Sequence, residues 1–172
     1  PADDMHDLCS ALVDLMVADR PLLLAALSLP NTDPLDGFVT RQNVNRAILG
    51  VSVACSLGYS EAQVREISYG ALLHDIGMLM VPRHLVMKKA PLDEQERFEI
   101  LKHPIHSLDM LSRLKGIPRC TPLIAYQCHE RGDGSGYPRR KKAHTLFRYS
   151  KIVMLCDVYC AMTSPRPFRQ AK

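Results

Sequence analysis

Apolar side chains recur at every third or fourth position through most of the chain, which is the spacing of amphipathic helices. Leu8, Leu12, Leu15 and Met16 begin this pattern and predict a first helix over Asp7 to Ala26. The same pattern predicts further helices at about 39–57, 60–77, 93–102, 105–114, 121–128 and 147–162. No convincing alternation with a period of two appears, so the predicted fold class is all-α.

The helical pattern is interrupted once near the N-terminus. Residues 30–37 are rich in Asn, Asp, Pro and Gly, which favour turns and loops. We therefore predict two parts: residues 1–37 as an N-terminal helical extension or linker, and residues 38–172 as one domain. The apolar face of the first helix could pack onto the domain's own core, which is the commoner arrangement. Alternatively, it could form the interface of a homodimer.

Composition narrows the class of protein. A chain of 172 residues with 47% hydrophobic and 23% charged residues is that of an ordinary globular domain. Its longest apolar run, Pro21 to Pro30, is far shorter than the roughly 20 residues needed to cross a bilayer. No secretory signal is recognisable, so we expect a cytoplasmic protein without a membrane contact, whose six cysteines are free thiols.

Positive charge is concentrated in the last third of the chain. The net charge is +4, and Arg and Lys greatly outnumber Asp and Glu after residue 130. Such a distribution favours an anionic partner. A nucleic-acid polymer is not expected, because Trp is absent and the aromatic residues do not interleave with the charges as a stacking surface requires.

Five residues in the sequence could ligate a metal ion. They are His74, Asp75, His103, His129 and Asp157. Imidazole nitrogen and carboxylate oxygen are the ligands that borderline and hard divalent ions take. Mixed ligation of this kind, with a carboxylate that bridges, suits a two-metal hydrolytic centre acting on phosphate, although spacing alone does not show that the five converge.

Several motifs, taken together, resemble one known family. They are LLHDIGMLMVP at 72–82, KHP at 102–104, HERGDGSGYP at 129–138 and LCDVYCAMTSPRPFR at 155–169. In this order they resemble an HD-GYP domain. The resemblance implies a helical HD-domain bundle that binds two or sometimes three metal ions, typically iron or manganese, of which we expect one or two in this chain. It further implies hydrolysis of cyclic di-GMP to pGpG or GMP, and contact of the GYP loop with a diguanylate cyclase domain.

The resemblance also assigns roles to single residues. His74 and Asp75 match the metal-binding and catalytic pair, with Asp75 as the expected bridge, and His103, His129 and Asp157 match further metal ligands. The residues expected at the substrate are Arg166, Arg169, Tyr137 and Arg131, the two C-terminal arginines facing the phosphates through their bidentate guanidinium groups.

Several positions depart from the family pattern, and three of them stand where a metal ligand or a phosphate-binding cation is expected. Gln42 stands where a ligand His is normal, and its amide oxygen is a weak ligand for a transition metal. Met78 replaces a lysine, so the positive charge that could stabilise a transition state is lost. Cys128 replaces the first of two histidines. As a thiolate it would ligate zinc or iron, and as a thiol it would be an ordinary buried core residue.

These matches and departures leave more than one function open. The first hypothesis is a metal-dependent cyclic di-GMP phosphodiesterase whose activity is weak or lost. The second is a non-catalytic module that binds cyclic di-GMP or a protein partner and need not hold a metal ion. A phosphohydrolase acting on another nucleotide is the third, because a fold does not determine its substrate.

Overall fold

The computed structural model describes the backbone of residues 2–28, 35–88 and 90–163, and the side chains of these ranges except those of residues 2, 28 and 35–39. The described ranges contain nine α-helices and no strand. The helices are α1 Ala2–Ala18, α2 Arg20–Ala25, α3 Leu35–Ser56, α4 Glu61–Leu73, α5 Arg83–Val86, α6 Glu94–Leu101, α7 His103–Ser112, α8 Thr121–Gln127 and α9 Arg148–Thr163. The predicted all-α fold class is confirmed.

Local hydrogen bonds explain where several helices begin. The side chain of Gln63 accepts from the backbone N–H of Ser60 at 3.0 Å, which forms a capping box at the start of α4. The prediction of one helix over Asp7 to Ala26 was wrong, because Asp19 accepts from the backbone N–H of Leu22 at 2.9 Å and starts a second helix.

The core lies where α3, α4, α8 and α9 pack together, and α1 covers one side of it. Val51, Ile67, Ile124 and Val153 are among its fully buried side chains. Gly70 lets α4 approach α8 closely, since a Cβ atom at this position would lie 2.6 Å from Ile124 Cγ2. This packing fixes the ends of α4 and α8, which carry the residues of the candidate site.

The N-terminal helices contribute side chains to this same core. Cys9, Val13 and Met16 of α1 and Leu23 of α2 are buried in it. The predicted domain boundary between residues 37 and 38 follows closely on residues 29–34, which lie outside the described ranges. This boundary stays a prediction.

Two further expectations concern the environment of the chain. Among the helices of the described ranges, none has both the length and the apolar character that a membrane span requires. All six cysteines are free, and four of them, Cys9, Cys128, Cys156 and Cys160, are buried.

Candidate metal centre

The turn after α4 carries the His74 and Asp75 pair. The sequence pattern predicted a helix through this pair, in which adjacent side chains diverge by about 100°. Instead α4 ends at Leu73, and the pair forms a turn before a short 3-10 helix, Ile76–Met80. In this turn His74 Nε2 lies 3.2 Å from Asp75 Oδ2.

Gly77 allows α7 to pack directly against this turn. A Cβ atom at Gly77 would lie 2.1 Å from the carbonyl oxygen of His103, which is the first residue of α7. Ser107 joins the two segments, since its Oγ accepts from the Gly77 N–H at 2.9 Å and donates to the His74 carbonyl at 2.8 Å. The close contact brings His103 to the His74 and Asp75 pair.

The five predicted ligands converge around the carboxylate of Asp75. Its Oδ1 lies 3.1 Å from His129 Nε2 and 3.3 Å from His103 Nε2. Asp157 completes the cluster from α9, with Oδ1 4.0 Å from His74 Nε2 and Oδ2 3.7 Å from His129 Nδ1. Four separate segments of the chain therefore meet at one carboxylate.

The hydrogen bonds of two histidines determine which ring nitrogen is free. Nδ1 of His74 lies 2.9 Å from the Ala71 carbonyl, and Nδ1 of His103 lies 2.8 Å from the Ile100 carbonyl. Because a carbonyl only accepts, each Nδ1 carries the proton, and in the neutral ring Nε2 then presents a lone pair. Both Nε2 atoms are buried and have no hydrogen-bond partner in the described structure.

Each of these lone pairs therefore faces a carboxylate oxygen of Asp75 at 3.2–3.3 Å. Where both rings are neutral, two acceptors at this distance are unfavourable without a cation beside them, and the donor set then fits a divalent metal ion. Two groups have ligand atoms within 4.8 Å of one another: Asp75, His103 and His129, and His74, Cys128 and His129.

The electrostatics of the cluster favour an ionised carboxylate. Burial alone would raise the pKa of Asp75, but the surrounding imidazoles in their protonated forms outweigh it, through the charge of His74 and hydrogen bonds from His103 and His129, so this pKa is held well below its usual value. Burial, with the charges of Asp75 and Asp157, raises the pKa of the Cys128 thiol well above its usual value. Cys128 is fully buried and its Sγ donates to the Ala125 carbonyl at 3.3 Å, as a neutral thiol does.

Sequence reasoning missed one residue of the cluster, Arg46. This buried side chain of α3 places Nε 2.8 Å from Asp157 Oδ1 and Nη1 3.9 Å from Asp75 Oδ2. The Nε–H does not point at the Asp157 oxygen, so the short contact is an ion pair rather than an aligned hydrogen bond. The available signal was spacing, because Arg46 lies four residues after Gln42 and so shares its helix face.

The glycine-rich loop after α8 packs Tyr137 against the cluster. The Tyr137 ring stacks on His129 with centroids 5.1 Å apart and planes inclined by 1°. Glu130, fully buried, holds the loop by accepting from the backbone N–H groups of Arg139 at 2.7 Å and Lys141 at 2.8 Å. Gly136 is required here, since a Cβ atom at this position would lie 2.2 Å from the backbone nitrogen of Arg131.

An open cavity of about 1210 Å³ lies over the cluster. Its wall includes Gln42 and Met78, both of which depart from the family pattern, and the predicted substrate residues Tyr137 and Arg131. Further arginines in the wall are Arg46, Arg83, Arg97 and Arg140. The predicted phosphate contacts Arg166 and Arg169 lie outside the described residues.

A comparison with protein families identifies this architecture. A family model described as HD domain matches residues 33–172. This chain belongs to the HD domain family. The Asp75 cluster consists of the adjacent His74 and Asp75 and of three candidate ligands from more distant parts of the chain, His103, His129 and Asp157.

Two relatives and one solved structure show which proteins this chain resembles. RpfG of Xanthomonas campestris pv. campestris, named a cyclic di-GMP phosphodiesterase response regulator, is 37% identical over 120 residues, which are 69% of this chain and 32% of RpfG. A Vibrio cholerae protein named 3'3'-cGAMP-specific phosphodiesterase 1 is 31% identical over 146 residues, 85% of this chain and 34% of that protein. Bd1817, an HDG"Y"P protein from Bdellovibrio bacteriovorus, has the same fold, with a TM-score of 0.76 at 20% identity over 91% of this chain and 51% of Bd1817.

These findings confirm the resemblance to HD-GYP domains that the motifs indicated. The chain spans about a third of the length of the curated relatives it matches.

Proposed function

We propose that this HD domain is a metal-dependent phosphodiesterase that hydrolyses cyclic di-GMP to pGpG or GMP. The observation that carries the proposal is the Asp75 carboxylate, whose two oxygens face the buried and unpartnered Nε2 atoms of His74 and His103. Such an arrangement is costly unless a cation satisfies it. Its position at the floor of a large cavity makes the cation accessible to a ligand.

Asp75, His103 and His129 are the residues that would hold a metal ion, since their ligand atoms are grouped closely enough for one. A divalent ion in this place supplies a Lewis acid for the phosphodiester and lowers the pKa of the attacking water. Imidazole and carboxylate ligands suit iron or manganese, the metals we propose, and zinc is the alternative.

The protein's own groups supply orientation and charge. Tyr137 stacks on His129 and fixes the plane of its ring, and Glu130 holds the loop that carries Tyr137. Arg131 and Arg140, exposed on the cavity wall, can bind phosphate oxygens through their guanidinium groups. Met78 lies on the same wall and offers no charge, so we expect slower turnover than a lysine there would permit.

The choice of cyclic di-GMP rests on the relatives together with the size and charge of the cavity. The relatives are named for cyclic di-GMP and for 3'3'-cGAMP, two ligands of the cyclic dinucleotide class. A cavity of about 1210 Å³ is large enough for a ligand of this size. The arginines in its wall suit the two phosphates of such a ring.

A non-catalytic binding module is the second candidate. It is favoured by Cys128, which is a neutral thiol beside the cluster, and by Arg46, which neutralises carboxylates that a metal ion would otherwise need to neutralise. The exposed loop around Arg131 and Asp133 is the surface where we would look for a diguanylate cyclase domain as partner. The formation of a homodimer stays a prediction. A cytoplasmic location also stays a prediction, and it is supported by the free cysteines, which suit a reducing compartment.

A turnover assay separates the two candidates. Protein loaded with manganese is incubated with cyclic di-GMP, and in parallel with 3'3'-cGAMP, and linear products are followed by chromatography. We expect cyclic di-GMP to be opened with manganese and not with a chelator, and Asp75→Asn to remove this activity. Binding of cyclic di-GMP without product, in protein shown to contain metal, would contradict the enzyme and leave the binding module.

A further inference from the structure

Arg46 is a charged residue in an unusual place. Among the lysines and arginines of the described ranges, it is the one whose side chain is buried. Burying a guanidinium is unfavourable unless anions surround it. Its neighbours are the carboxylates of Asp157 and Asp75 and the amide oxygen of Asn43, which accepts from Nη1 at 2.8 Å.

The cluster around Asp75 has two sides. On one side Oδ1 of Asp75 faces His103 and His129. On the other side Oδ2 faces His74. Asp157 Oδ1 also lies on this second side, 4.0 Å from His74 Nε2.

Arg46 lies on the second side only. Its Nη1 approaches Oδ2 of Asp75, and its Nε approaches Oδ1 of Asp157, which lies 4.0 Å from His74 Nε2. The side chain reaches this place because α3 presents Gln42 and Arg46, four residues apart, to the cavity. A divalent ion between Asp75 Oδ2 and Asp157 Oδ1 would lie close to the guanidinium group of Arg46. The guanidinium would repel the ion, and it already forms ion pairs with the same two oxygens.

We propose that Arg46 serves as a built-in cation that takes the place of a second metal ion, so that the centre holds a single divalent ion on Asp75, His103 and His129. The inference rests on the proposed metal centre and deepens it, because it sets the number of ions. A guanidinium neutralises the carboxylates and can bind a phosphate oxygen. It cannot lower the pKa of a water molecule as a coordinating metal ion does.

Metal stoichiometry tests this proposal directly. Protein stripped with a chelator is titrated with manganese by calorimetry, and bound manganese is counted independently by elemental mass spectrometry. We expect one equivalent in the unaltered protein and two in Arg46→Ala. Electron paramagnetic resonance gives a separate readout, because two manganese ions bridged by Asp75 are magnetically coupled and one ion is not.

Matched variants distinguish the effect of the positive charge at position 46 from other effects of substitution. Arg46→Lys keeps a cation and is expected to bind one equivalent, as is Arg119→Ala, which removes an exposed positive charge elsewhere. Should Arg46→Ala fail to fold, Arg46→Gln removes the charge while keeping a polar side chain, and two equivalents are expected. The folded state of each variant is checked by circular dichroism.

Two equivalents in the unaltered protein, no equivalents at all, or one equivalent in the folded neutral variants would overturn the proposal. Its failure differs from failure of the proposed function. Two ions with turnover of cyclic di-GMP would remove the role of Arg46 and leave the phosphodiesterase. One ion without turnover would keep the role of Arg46 and remove the phosphodiesterase.

Discussion

At the scale of single residues, Gly77 controls how closely the turn with His74 and Asp75 approaches α7. We predict that Gly77→Ala disturbs the site, because the added Cβ would lie 2.1 Å from the His103 carbonyl oxygen and 2.5 Å from the Ser107 nitrogen. Overpacking of this kind costs about 1–3 kcal/mol of unfolding free energy. Urea unfolding and manganese titration measure the two effects.

Gly132→Ala is the matched control for this substitution. A Cβ atom there would meet only the Cβ of Ala143 at 3.4 Å, at an exposed position. We expect its stability and manganese affinity to stay close to those of the unaltered protein. Equal losses in both variants would show that the close contact at Gly77 is not what holds His103 in place.

The sequence anticipated the residue types of the site better than its electrostatics. His74, Asp75 and His103 were recognisable as candidate ligands, and the structure brings them together. Arg46 was not recognised, because an arginine in an amphipathic helix is normally a solvent-facing residue. Only the packing of α3 against α9 shows that Arg46 meets Asp157 inside the protein.

At the scale of elements, helix ends were predictable where a capping residue marks them. Asp93 starts α6 by accepting from the Glu96 N–H at 2.8 Å, and Glu96 in turn accepts from the Asp93 N–H at 3.0 Å. The short helix Arg83–Val86 was not predicted, since four residues carry too little periodicity to be recognised. The turn at His74 was also missed, because the apolar pattern of α4 continues past the residue at which the helix ends.

The start of α6 gives a prediction with a definite pH dependence. The Glu96 carboxylate accepts from Lys88 Nζ at 2.6 Å and from the Asp93 N–H, and these bonds lower its pKa. A carboxyl whose pKa is lowered by folding stabilises the fold above its unfolded pKa and loses this contribution as the pH falls through the folded pKa. Glu96→Gln should therefore lower the melting temperature slightly at neutral pH and have no such effect in acid.

Thermal melts of the two proteins at both pH values test this. Glu94→Gln is the control, because Glu94 is an exposed carboxyl in the same first turn. Glu94→Gln should change the melting temperature less than Glu96→Gln does. The change it causes should be similar at neutral and at acid pH. A Glu96→Gln difference that is the same at both pH values would mean that the ionised carboxylate contributes nothing.

At the scale of the whole molecule, the N-terminal helices belong to the core rather than standing apart from it. Leu12 of α1 is 7% exposed and packs into the core cluster, whereas Leu8 of the same helix is 39% exposed. We predict that Leu12→Ala lowers the unfolding free energy by about 2–5 kcal/mol, as truncation of a buried leucine does. Leu8→Ala should cost no more than about 0.5 kcal/mol.

Chemical denaturation followed by circular dichroism measures both variants. A single cooperative transition is expected, because the side chains of α1 and those of α3 and α4 form one core. Equal costs for the two leucines, or a separate early transition for α1, would instead support an extension that folds apart from the domain.

The proposed function depends on whether the Asp75 cluster binds a metal ion. Anomalous X-ray diffraction from crystals grown with manganese, recorded near the manganese absorption edge, would locate such an ion. We expect one anomalous peak within coordination distance of Asp75 Oδ1, His103 Nε2 and His129 Nε2. Crystals of the folded protein with no peak at these atoms, despite manganese in the solution, would contradict the proposal that the cluster binds a metal ion.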